Sequence, residues 1–184
     1  MMEDRPRRFY KQSCDHMIMG PELVDIVDRK DRILKTIPTK EATNSDILRV
    51  VGVYILNKKG ELLLQLRSEK SFRYPLHWDC TGGGHVGTGE NYETAAKREL
   101  FEETGIKTIL VFLGKHCIEL DDGRKHLNVF FKGTYNGKIT IDPKELKKVQ
   151  AFSKDQIKKM IKNGEKIHPE CLFGLKRYFL EKEI

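Results

Sequence analysis

Three glutamates, Glu99, Glu102 and Glu103, lie close together beside Arg98 in the stretch GGGHVGTGENYETAAKRELFEETG, which runs from Gly82 to Gly105. On a helix turning about 100° per residue, Glu103 stands at roughly +40° and Glu102 at roughly −60° from Glu99, so the three carboxylates share one face. Tyr92, Ala95 and Ala96 project on that same side, whereas Glu93, Lys97 and Thr104 lie on another. The acidic cluster therefore falls on the face that otherwise looks buried, the reverse of a solvated helix. Gathering buried carboxylates is costly unless protonation or a cation compensates. Hard oxygen ligands in this number suit Mg²⁺, with Mn²⁺ as a substitute. Arg98 keeps its charge, and its planar fork can hold a carboxylate in a fixed orientation. The glycines ahead of the helix, Gly82, Gly83, Gly84, Gly87 and Gly89, are expected to form a loop whose backbone approaches a ligand closely.

The elements around this stretch must position it. The helix is expected to begin near Asn91 and to stop at Gly105 in a left-handed cap. RVVGVYILN and ELLLQLRS flank NKKG and read as a hairpin of buried strands. Alternation in the second strand puts Leu62, Leu64 and Leu66 on one face and Leu63, Gln65 and Arg67 on the other, which must look toward something polar. ELVDIVD and RILKTIP read as an N-terminal hairpin over residues 22–37, and ILVFLGKHCIEL with KHLNVFFKGTY as another around DDGR. KITI is expected to add a short strand. The lysines of KELKKVQ and SKDQIKKMIKNGEK fall among apolar residues at helical spacing and read as solvated helix faces. Ser153 would cap KDQIKKMIKN before Gly164, and Pro169 would open a last helix over 169–182. Hairpins with helices between and after them predict an α+β fold with a mixed sheet covered by helices.

At 184 residues the chain is expected to form one domain over 20–184, with its core over about 48–165, behind a mobile tail over 1–19. Hydrophobic residues at 39% against 33% charged exclude a disordered chain. Cys14, Cys80, Cys117 and Cys171 lie far apart with no CxxC pair, which argues against a zinc knuckle or a disulfide framework. No apolar run reaches the length of a membrane span, and the start MMEDRPRRFYKQ is polar and basic, so a cytoplasmic protein away from membranes is expected. The net charge of +7 suits a phosphate-bearing small molecule. Nucleic-acid binding is disfavoured because aromatics are not interleaved with the basic residues.

Gly84, five residues, Glu90, seven residues, then Arg98-Glu99-Leu100-Phe101-Glu102-Glu103-Thr104-Gly105-Ile106 resembles the complete box of the Nudix hydrolases. The resemblance implies the Nudix fold, an α/β/α sandwich. It also implies divalent-cation binding by Glu99, Glu102 and Glu103 with help from the Gly83 carbonyl, orientation by Arg98, and support from Glu90. The substrate it implies is an organic diphosphate, such as a nucleoside diphosphate derivative. The general base would be Glu103 or a carboxylate from a later loop, for which Glu145 in DPKELKKVQAF is the better candidate and Glu119 the weaker. Arg67, Gly84 and His85 are the candidate substrate contacts. Trp78 to His85 also resembles isopentenyl-diphosphate isomerases, a branch of the same fold in which His85 matches a metal-binding histidine. That branch carries a catalytic cysteine where this chain has Gly83, while Cys80 stands three residues early and reads as a core residue. Hydrolysis is therefore the expectation, with isomerisation and a non-catalytic nucleotide- or RNA-binding module as alternatives. A homodimer is left open.

Overall fold

The structure is a computed structural model describing residues 23–180. The expected mobile tail over 1–19 and the last two residues of the expected C-terminal helix lie outside the described residues.

The chain opens with an antiparallel hairpin, β1 (Leu23–Val27) and β2 (Ile33–Pro38), in the register Leu23↔Pro38 and Asp25↔Thr36. The long strand β3 (Ile47–Leu56) leads through the NKKG turn, where Gly60 takes φ +75°, into β4 (Leu62–Arg67). Two short strands follow, β5 (Trp78–Asp79) and β6 (Gly82–His85), and then helix α1 (Tyr92–Thr104). Strands β7 (Val111–Glu119) and β8 (Lys125–Thr134) form the hairpin around DDGR. The chain closes with β9 (Leu146–Phe152), α2 (Lys154–Lys162) and α3 (Pro169–Leu175), the last continued by a wide helical turn through Leu180.

Strand β3 is the spine of a mixed sheet. It runs parallel to β8 along its whole length, from Ile47↔Lys125 to Leu56↔Thr134. On its other side it pairs with β6 from Val50↔His85 to Val53↔Gly82, and only then with β4 at Ile55↔Leu63 and Leu56↔Leu62. The sheet is thus split between β4 and β6. Residues alternate across it as a strand demands. Val51, Val53, Ile55 and Leu63 pack under Ala95, Ala96 and Leu100 of α1. Tyr54, Leu62, Leu64 and Phe130 pack on the other face against Ile157 and Met160 of α2 and Cys171 and Leu175 of α3. Helices on both faces make the α/β/α sandwich. None of the helices among the described residues is long and apolar enough to cross a membrane.

Two segments differ from expectation. KITI forms no strand, and KELKKVQ is not helical but supplies β9, paired with β4 from Leu62↔Phe152 to Arg67↔Leu146. Leu146 and Phe152 are buried while Lys147 and Lys148 stay exposed. Charged side chains on an edge strand discourage pairing with other chains. The SKDQIKKMIKNGEK segment is helical, and Ser153 caps α2 in a capping box with Gln156.

Candidate active site

Helix α1 begins as its cap residues dictate. The Asn91 side chain accepts the Thr94 N–H at 2.8 Å, and Gly105 ends the helix at φ +70°. The expected loop holds only for Gly87 and Gly89, because Gly82 to Gly84 lie within β6. Their role is close packing. A Cβ on Gly82 would come within 2.8 Å of the Leu100 backbone, and one on Gly84 would overlap the Glu99 carboxylate. These contacts draw the acidic half of α1 onto the edge of the sheet. Gly84→Ala is expected to cost under about 1 kcal/mol of stability, since only the end of a flexible side chain must move. It should nevertheless weaken Mg²⁺ binding by displacing Glu99, which calorimetric titration with Mg²⁺ checks.

Arg98 ties most of the acidic residues together. It donates to both oxygens of Glu90 at 2.9 Å, to Glu99 at 2.7 Å, to Glu102 at 3.4 Å and to the His85 carbonyl at 3.0 Å. Glu90 also accepts the Gly87 N–H at 3.0 Å. The Arg98 guanidinium, with the Gly87 amide, holds the Glu90 carboxyl below the usual range.

Glu103 is set apart. It is buried in the split between β4 and β6, where it accepts the Gly83 N–H at 3.0 Å and faces the Gln65 amide at 3.3 Å. Burial, and then the negative charge of Glu99, push its carboxyl well above the usual range. The polar face expected of β4 therefore looks at Glu103. Not all of the helix prediction holds, because Thr104 is buried and Glu102 is exposed. Leu100 packs in the core and against Gly82, and Thr104, one turn on, is buried with it, which leaves Glu102 at the rim.

The other predicted residues divide. Arg67 pairs with Asp79 at 3.2 Å, and Asp79, like Glu145, adds negative charge near Glu103. Glu145 stands exposed just before β9, and the Ser68 N–H donates to its carbonyl at 2.9 Å. Glu119 is exposed at the end of β7, opposite Lys125 and far along the sheet from Gly83. Cys80 is buried beside Cys171, and burial pushes its thiol up. The Gly83 amide, rather than its carbonyl, makes the contact with Glu103. Among the described residues, the box glutamates do not converge as one compact ligand set. The group whose ligand atoms do lie within 4.8 Å of one another is Asp79, Cys80 and Cys171.

Arg67, Gly83, Gly84 and His85 border a cavity of about 250 Å³. It lies on the face of the sheet turned away from α1. Sequence reasoning missed its other polar walls, Arg73, Arg124, His126, Asn128, His168 and Glu170. A signal was present in KHLNVFF, where alternation places His126 and Asn128 on the same face as the buried Phe130.

The description "NUDIX domain" belongs to the family model that matches residues 46–173. An uncharacterized Nudix hydrolase of Pseudomonas aeruginosa is 39% identical over 87 residues, covering 47% of this chain and 52% of that protein. The match thus spans about half the length of that relative. An isopentenyl-diphosphate Delta-isomerase of Pectobacterium atrosepticum is 30% identical over 139 residues, covering 73% of this chain and 78% of that protein. The crystal structure of DR0079 from Deinococcus radiodurans superposes with a TM-score of 0.76 at 21% identity, over 86% of this chain and 99% of that one. That likeness concerns the fold alone.

Proposed function

Because the chain belongs to the Nudix hydrolase family, we propose that it is a divalent-metal-dependent enzyme cleaving the diphosphate linkage of a nucleoside diphosphate derivative or another organic pyrophosphate. The observation that carries this reading is Glu103, a carboxylate buried against the charge of Glu99 and held by the amide of Gly83, a residue that borders the cavity. Such an arrangement is unfavourable without a compensating cation. The donors are hard oxygens, and the space over Gly84 is already filled by the Glu99 carboxylate, so the residues fit Mg²⁺ or Mn²⁺. Glu99, Glu102 and Glu103 would hold it. Such a cation supplies charge neutralisation on the phosphate oxygens and Lewis-acid assistance to water.

The protein's own residues do the rest. Arg98 fixes Glu99 and orients the helix edge through Glu90. Glu103, raised in proton affinity, accepts a proton from the attacking water, and Glu145 is the alternative base. Arg67 and His85 stand at the cavity wall to meet substrate oxygens. Among the described residues Cys80, Cys117 and Cys171 form no disulfide, which agrees with a cytoplasmic enzyme. A Mg²⁺-dependent turnover panel of nucleoside diphosphate derivatives, dinucleotides and prenyl diphosphates tests the proposal. Diphosphate cleavage supports it, and saturable binding without turnover would leave a binding module.

Isomerisation of a prenyl diphosphate is the second reading, favoured by the match to the Pectobacterium isomerase and by the position of Cys80 at the cavity. Against it, Gly83 replaces the cysteine of that branch, and burial holds the Cys80 thiol protonated. Cys80→Ala is expected to keep hydrolytic kcat within about threefold of the parent. Complete loss of activity with an unchanged circular dichroism spectrum would revive the isomerase.

A further inference from the structure

The cavity bordering Gly84 is built for a ligand more specific than a diphosphate alone. Three buried polar atoms on residues lining it have no hydrogen-bond partner: Arg67 Nε, Arg124 Nη2 and Asn128 Oδ1. Two are donors on permanent cations and one is an acceptor on a side chain 1% exposed. Leaving such atoms dry and unpaired is costly, and a bound anion with hydroxyl groups nearby would satisfy all three.

The cationic groups are incompletely neutralised. Arg73 and Arg124 share the single carboxylate of Asp122, at 3.4 Å and 2.8 Å. A second, smaller cavity of about 140 Å³ adjoins this corner and is also bordered by Arg73, Arg124 and His126. Along the sheet, Gly83 stands level with Phe130, and Asn128, His126 and Arg124 follow in steps of two residues away from it. The Gly83–Gly84 end, next to Glu103 and Glu99, and the Arg73–Arg124 corner are therefore opposite ends of one polar trough. His126 donates or accepts through Nδ1 at 2.8 Å from Glu170, a buried pair that can meet sugar hydroxyls.

Resting on the hydrolase reading, we propose that the trough holds the remainder of the substrate, a compact polyhydroxylated group bearing a second phosphate, so that the substrate class is the diphosphates of sugar phosphates or polyol phosphates. A prenyl tail would leave the guanidinium donors and Asn128 Oδ1 unpaired against hydrocarbon. A nucleobase would lack a free stacking face. Tyr74, the sole Phe, Tyr or Trp bordering the cavity among the described residues, already packs edge-on against His77 and His168 with ring centroids 5.3 Å and 4.4 Å away. The volume also lies below the ~300–1,000 Å³ of sites for larger ligands.

The experiment separates this inference from hydrolysis by using a ligand with no diphosphate. Calorimetric titration with ribose 5-phosphate in EDTA should show saturable binding at least tenfold tighter than inorganic phosphate. Arg124→Gln should abolish it, and so should Arg73→Gln, a half-exposed position whose replacement leaves the core untouched. With Mg²⁺, hydrolysis of 5-phosphoribosyl 1-diphosphate should show KM raised tenfold or more in both variants at a kcat within threefold. Turnover of ADP or a prenyl diphosphate without ribose 5-phosphate binding would overturn the inference and leave the hydrolase standing. Binding lost in both variants, without turnover of any diphosphate, would support the trough and remove the hydrolase.

Discussion

Glu103→Gln is expected to lower kcat by about 10²–10⁴-fold while raising the stability of the metal-free protein. The replacement keeps the volume of a fully packed side chain and removes the charge that burial and Glu99 oppose. The Gly83 N–H keeps an acceptor. Gln65 Oε1, buried and without a partner, gains an amide N–H from the new side chain once the Gln65 amide turns over. The pH dependence gives the effect its sign. A carboxyl whose affinity for a proton is higher in the folded state binds more protons folded than unfolded. Stability contributed by that site is present below the ordinary carboxylate pKa and is lost as pH rises through the elevated folded value. In EDTA the parent should therefore lose melting temperature as pH rises above the ordinary carboxylate range, and the variant should lose less. Added Mg²⁺ should restore the parent at pH 8 and leave the variant nearly unmoved. Parental kcat/KM in Glu103→Gln would remove Glu103 from the chemistry and shift attention to Glu145.

What could be read in one dimension was whatever local chemistry decides. Asn91 and Gly105 bound α1 because an N-cap oxygen and a left-handed glycine are local devices. The three hairpins follow from turns between alternating strands. Where tertiary packing decides, the same reasoning went astray. Leu146, Val149 and Phe152 occur at a spacing a helix would also use, and pairing with β4 made that segment a strand. Three consecutive glycines read as a loop, yet they form β6 because α1 needs their missing side chains. The box supplied the acidic residues and Arg98, but the cavity walls come from β4, β6, β8 and α3 and meet only in the folded chain. Beyond Arg67, Gly84 and His85, buried polar residues within an apolar strand, His126 and Asn128, were a further trace of them.

Arg98→Lys is expected to raise the Mg²⁺ concentration giving half-maximal activity by about 10–100-fold, with a smaller fall in kcat at saturating Mg²⁺. A lysine keeps the charge but not the fork. The guanidinium reaches Glu90 through two nitrogens, Glu99 and Glu102 through a third, and the His85 carbonyl besides. One ammonium has three donors on a single point and cannot span that set. Glu90 would retain the Gly87 N–H, and Glu99 would lose its fixed orientation over Gly84. About 1–2 kcal/mol of stability should be lost, the lower part of the range for charge-assisted bonds because the Arg98 side chain is 34% exposed. A merely structural arginine would lower the melting temperature and leave the Mg²⁺ dependence of the remaining activity unchanged. A positioning arginine moves the Mg²⁺ curve itself, because the carboxylates it orders are the ones that must meet the cation. Excess Mg²⁺ should therefore recover most of the activity of Arg98→Lys and none of that lost in Glu103→Gln, which distinguishes a residue that arranges the site from one that reacts in it.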